Sequence, residues 1–189
     1  GCHCLAPAYL DQALTMSLAN LRVETIDVYY LHNPEQQLDE VPRETFLARL
    51  EAAFALLERH AHDGTIRAYG LATWNGLRCA PAARGYLSLE SVVELATHLG
   101  GSTHHCRAIQ LPYNLAMPEA YAFKNQMVRG EPMTVLQAAE RLGLSVMASA
   151  SLMQSQLVRL PASLEARIPG CATSAQRAVQ CVRSTPGVT

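Results

Sequence analysis

Thr25-Ile26-Asp27-Val28-Tyr29-Tyr30-Leu31-His32-Asn33-Pro34 is a run of β-branched and aromatic residues that ends on a histidine and breaks at Asn-Pro. It predicts a short buried strand, 26–32, with a titratable side chain at its carboxyl end. That is where an α/β barrel keeps its chemistry. Polar residues close three later strand-like runs in the same way. Ile66–Leu71 closes on Ala72-Thr73-Trp74-Asn75, Ala108–Leu111 carries Gln110 and stops at Pro112, and Leu144–Ala148 closes on Ser149-Ala150-Ser151.

Helical patterns separate these runs. Pro7 opens a stretch with Leu10, Leu14, Leu18 and Leu21 on one stripe. A polar loop from Glu35 to Glu40 precedes Pro42 and a long helix carrying Leu47, Leu50, Phe54 and Leu57, which Asp63-Gly64 ends. A third helix starts near Ser88 and stops at Gly100-Gly101. Thr134 and Gln137 form a capping box for a helix that Gly143 ends, and Thr173 and Gln176 repeat the pattern. The stretch from Tyr113 to Pro132 reads as a loop too long for an ordinary connection, hence a candidate active-site loop. Pro186–Thr189 reads as the start of a fifth strand.

Strands alternating with helices predict a parallel sheet with helical crossovers. An open doubly wound sheet normally carries a glycine-rich phosphate loop, and neither G-x-G-x-x-G nor a Walker A motif is present. An α/β fold of the (β/α)8 TIM-barrel type is the better reading, incomplete because five strands do not close a ring of eight.

The chain has 189 residues, 49% of them hydrophobic, and a net charge of −1. That suits one domain with a sizeable core and gives no reason to expect nucleic acid or an anionic membrane as partner. No apolar run reaches the roughly 18–20 residues of a membrane span, and Gly1-Cys2-His3-Cys4 has no secretory-signal pattern. Six scattered cysteines point to a reducing, cytoplasmic setting rather than a disulfide framework. Cys2-His3-Cys4 and His104-His105-Cys106 lack metal-ligand spacing, so no metal is expected. Trp74 reads as packing at the sheet end or as a substrate wall, and Lys124 as solvated. Tyr29 and Tyr30 alternate across the strand, so at most one faces a barrel interior.

The same segments carry a family resemblance. Val23–His32 is similar to the fourth-strand signature of the aldo-keto reductases, and Gly64–Leu71 resembles their passage into the fifth strand. Ile109–Leu115 resembles the sixth, Ala138–Ala148 the approach to the seventh, and Arg183–Val188 the entry to the eighth. The order is collinear. The resemblance implies a single partial barrel domain over 1–189, truncated at both ends, and reduction of a small-molecule aldehyde or ketone by hydride from NADPH, with NADH as an alternative. His32 matches the histidine that orients the carbonyl. The family's aspartate, tyrosine and lysine have no counterpart in these 189 residues, which implies an inactive segment.

For the cofactor, the resemblance implies Ala72 and Thr73 where the family places Ser-Asn against the nicotinamide amide, and Gln110 beside them. Ser149 stands where an aromatic ring usually stacks, Ala150, Ser151 and Leu152 follow it, and Ser155 takes the place of a glycine. These departures keep open a non-catalytic NADPH-sensing or interaction module. Another barrel enzyme, an aldolase or hydrolase, would need a lysine or paired carboxylates at strand ends, and none is visible.

Overall fold

The computed structural model describes residues 3–189. Gly1 and Cys2, and with Cys2 the first member of the Cys-His-Cys run, lie outside the described residues. The elements in chain order are helix α1 (Pro7–Leu21), strand β1 (Ile26–His32), a 3-10 turn (Pro34–Asp39), α2 (Arg43–His62), β2 (Ile66–Ala72), α3 (Leu89–Gly100) and β3 (Cys106–Pro112). They continue with a short helix α4 (Glu119–Ala122), strands β4 (Gln126–Val128) and β5 (Glu131–Met133), α5 (Val135–Leu142) and β6 (Ser145–Ser149). The last are α6 (Ala162–Glu165) and α7 (Ser174–Arg183).

β1, β2, β3 and β6 form one parallel sheet in that order. Its register places Leu31, Leu71, Ile109 and Val146 in one row across all four strands. Each is at most 2% exposed and packs into the core with Phe46, Leu50, Phe54 and Leu57 of α2 and Leu89 and Val92 of α3. Full burial of such side chains contributes about 1.5–3 kcal/mol apiece. The next residues point to the opposite face, because strand side chains alternate. There the row reads His32, Ala72, Gln110, Met147. His32 is exposed and Met147 is 43% exposed, and Val28, on the same side of β1, is 37% exposed. A doubly wound sheet covers both faces with helices; this one covers one, as a barrel wall does.

Gly70 is indispensable to the wall. A β-carbon there would stand 1.8 Å from the Ala108 carbonyl oxygen on β3, where the register shifts between Tyr69 and Gly70. The capping boxes hold as the sequence predicts. Thr134 accepts from the Gln137 amide and Gln137 returns the bond, and Thr173 and Gln176 do the same. Gly143 ends α5 at φ 72, in the left-handed region that glycine tolerates.

Three expectations change. Residues 35–40 are not a polar loop: Pro34–Asp39 is a 3-10 turn with Pro34, Glu35, Gln37 and Leu38 buried. The stretch 113–132 is not a structureless loop. It holds α4 and an antiparallel hairpin of β4 and β5, in which Gln126 and Val128 are fully buried. Pro186–Thr189 forms no fifth strand, yet Thr189 lies along the outer edge of β6. Its amide donates to the Val146 carbonyl at 2.9 Å, and its Oγ1 accepts from the Val146 amide at 3.2 Å. Among the described residues no helix is long and apolar enough to cross a membrane.

Candidate active site at the carboxyl end of the sheet

The rim of the site is built by the backbone ladder running one step past each strand. Asn33 donates to the Ala72 carbonyl at 2.6 Å, Thr73 to that of Gln110 at 2.8 Å, and Tyr113 to that of Ser149 at 3.1 Å. His32, Thr73, Gln110 and Ser149 therefore stand at one end of one parallel sheet. Asn33 takes φ 44, a left-handed turn that asparagine tolerates, and swings the chain off β1 directly after His32.

His32 projects from the exposed face, and among the described residues no hydrogen bond reaches its ring. Its carbonyl oxygen lies 2.9 Å from His3 Nδ1, and the two rings are tilted with centroids 5.7 Å apart. Ala72 is buried and offers only backbone. Thr73 is 4% exposed, and its Oγ1 is buried without a hydrogen-bond partner. Such an orphan costs about 1–3 kcal/mol when no ligand meets it. Gln110 is half-buried, two strands away from His32 in the same row. Trp74, next to Thr73, is 42% exposed and so is not a packed core residue.

Past β6 the backbone is unusual. Ala150, Met153, Gln154 and Ser155 all have positive φ, of 54, 47, 50 and 71 degrees. Non-glycine residues enter this region at a cost of roughly 1 kcal/mol or more each, and such strain clusters at ligand sites. Ser155 thus adopts a left-handed conformation that glycine takes without strain. Ser151 and Leu152 are half-buried within this loop. Asn114, 2% exposed, anchors it: Nδ2 donates to the Ala150 carbonyl at 2.9 Å while Oδ1 accepts from the Ala116 amide at 2.9 Å.

Sequence reasoning missed one buried group at this end. Glu35, three residues past His32, is 4% exposed. Its Oε1 accepts from the amides of Trp74, Asn75 and Gly76 at 3.1, 3.3 and 3.2 Å. Its Oε2 is buried with no partner.

A cavity of about 1050 Å³ lies between α2 and α3, lined by Phe46, Leu50, Leu87 and Val92 among others. None of His32, Thr73, Gln110 or Ser149 lines it. Among the described residues no three His, Cys, Asp or Glu side chains gather to hold a metal ion.

The family model described as "Aldo/keto reductase family" matches residues 2–159. Solved structures with similar folds include an aldo-keto reductase from Klebsiella pneumoniae in complex with NADPH, 20% identical at a TM-score of 0.62, covering 95% of this chain and 52% of that one. The holo form of an aldo-keto reductase from Bacillus halodurans is 16% identical at 0.61, over 98% and 56%. The aldose reductase from Schistosoma japonicum is 18% identical at 0.62, over 96% and 53%. The chain spans about half the length of these structures, and the likeness at this identity is one of fold. No curated protein matches the chain.

Proposed function

The chain belongs to the aldo/keto reductase family, and we propose that its strand ends form the nicotinamide-binding and carbonyl-orienting part of an NADP(H)-dependent oxidoreductase acting on a small-molecule aldehyde or ketone. The observation that carries this reading is the buried, unpartnered Thr73 Oγ1 at the end of β2, beside the row of His32, Ala72 and Gln110. A hydroxyl can both donate and accept, so it suits a carboxamide, whose oxygen accepts and whose nitrogen donates. Gln110 offers the same pair of functions from the next strand. These residues fit the amide side of a nicotinamide.

A nicotinamide held at these residues would supply the hydride for a carbonyl carbon. The chain's own groups hold and polarise. His32, with a ring free among the described residues, donates a hydrogen bond to the substrate oxygen as negative charge develops there. Thr73 and Gln110 would hold the nicotinamide amide and so orient the ring toward the substrate. The left-handed turns at Ala150 and Met153–Ser155 expose backbone groups where a phosphate chain would pass. Ser149 offers no aromatic ring, so affinity rests on these polar contacts. Of the sheet's tyrosines, Tyr69 is buried and bonded to Glu58 and Tyr29 packs on the core side. Tyr30 alone shares the face of His32, two residues back from the carboxyl end of β1, and the resemblance gives it no proton-donor role. The 189 residues by themselves are therefore expected to bind NADPH without measurable reduction of a model aldehyde.

Thr73→Val tests the reading, because valine keeps the shape and removes the hydroxyl. NADPH binding, followed by quenching of the single tryptophan, Trp74, should weaken by about tenfold, the worth of one buried hydrogen bond. Thermal stability should not fall, because the lost oxygen had no protein partner. Saturable binding unaffected by the substitution, or no binding at all by the parent chain, would contradict the proposal.

A further inference from the structure

Glu35 is a carboxylate placed where a carboxylate is expensive. At 4% exposure it has lost nearly all its water, and among the described residues it joins no ion pair. Burial of a charge without a partner is costly enough that folded proteins keep it only with strong compensation. The compensation here is a nest of three consecutive amides, Trp74, Asn75 and Gly76, converging on Oε1. Charge-assisted bonds of this kind are stronger than neutral ones, and successive amides form a natural anion cradle. The fit is tight: a β-carbon on Gly76 would stand 3.1 Å from Glu35 Cγ and 3.0 Å from a Leu87 methyl.

The two ends of this clamp are the two halves of the site. Glu35 rides on the turn that leaves β1 directly after His32. The cradle is the loop that leaves β2 directly after Thr73. Between them runs one backbone bond, from Asn33 to the Ala72 carbonyl. Without the carboxylate, the loop that begins at Trp74 has no side-chain tie to β1 among the described hydrogen bonds. We infer that Glu35 is a positioning residue, whose buried carboxylate locks the loop after β2 to the turn after β1 and so sets Thr73 against His32. This inference rests on the proposed cofactor role of Thr73.

Its test uses the full chain and two variants, Glu35→Gln, which keeps shape and removes charge, and Glu35→Asp, which keeps charge and shortens the reach. Amide hydrogen exchange is read at Trp74, Asn75 and Gly76, with the Leu89 amide, held by Gln126 Oε1 at 2.9 Å, as an internal control. The wild-type cradle amides should be protected. In Glu35→Gln they should exchange on the order of tenfold faster while Leu89 stays unchanged. NADPH affinity should fall in step, with Glu35→Asp intermediate in both readouts. Unprotected cradle amides in the wild type would overturn the clamp, even if neither variant folds. A loosened cradle with unaltered NADPH affinity would overturn the positioning role and leave the cofactor reading standing. Absence of NADPH binding by the wild type would sink the cofactor reading and the positioning role with it, and the exchange data would still decide the clamp.

Discussion

Both ends of the sheet carry histidines, and they treat them in opposite ways. At the amino end, His60 is bonded on both ring nitrogens, Nε2 to Asp11 at 2.8 Å and Nδ1 to Thr65 Oγ1 at 2.9 Å, tying α1 and α2 to the start of β2. Beside it, the Glu58 carboxylate receives the Tyr69 hydroxyl, the His105 amide and His105 Nδ1, each at 2.8 Å. At the carboxyl end, the His32 ring has no protein partner among the described residues, the Thr73 hydroxyl is an orphan, and the backbone after β6 is strained. Polar groups satisfied by one another are structural. The amino end keeps one exception, His104, whose Nδ1 is buried without a partner; at the carboxyl end the unpartnered His32 ring and Thr73 hydroxyl stand at adjacent strand ends.

The difference implies that the amino end governs stability. Glu58→Ala leaves the buried Tyr69 hydroxyl and the His105 nitrogens without their acceptor, and should destabilise the fold by about 2–4 kcal/mol in urea unfolding. A loss below about 1 kcal/mol would erase the contrast.

Acid should act on the same end. Burial pushes the Glu58 carboxyl up, but the bonds from His105 and Tyr69 outweigh it and hold it below its ordinary 4.5. Burial, with Arg107 nearby, holds the His104 ring below its ordinary 6.5. Both folded values are depressed, so both contributions are complete above the ordinary values and are lost as the pH falls. The melting temperature should begin to decline below about pH 6.5 and fall again below about pH 4.5. His104→Gln should remove the first stage alone, and a melting profile that rises on acidification would reverse the sign of the argument.

Substitutions at the carboxyl end should cost nothing or help. Thr73→Val should raise stability by about 1 kcal/mol, since a buried orphan hydroxyl is replaced by a methyl of similar shape. Ser155→Gly should give a smaller gain, about 0.5 kcal/mol, by relieving a left-handed backbone against the greater freedom of glycine in the unfolded chain. Both are read from melting curves, and a clear loss in either would mean that these positions serve the fold.

The parallel strands and the capping boxes were legible because their signals are local: a β-branched run closing on a histidine, or a threonine three residues before a glutamine. The β4–β5 hairpin was not. Its turn, Arg129-Gly130, has positive φ at both residues, but Arg-Gly lacks the Asn-Gly signal of such turns, and Pro132 argues against a strand. Glu35 was hidden for a different reason. Its partners lie 39 to 41 residues away and are backbone amides, which leave no side-chain signature in a sequence. The left-handed φ of 71 at Ser155 has no local signal either, because serine does not announce a position that glycine would fill without strain.

The most direct test of the division between the two ends is histidine ring NMR during an NADPH titration of the full chain. His32, with the tilted His3 ring beside it, should shift saturably, while His60 and His105 at the amino end stay fixed. Shifts confined to His60 and His105, or none at His32 at saturating NADPH, would place the nucleotide elsewhere and contradict the account.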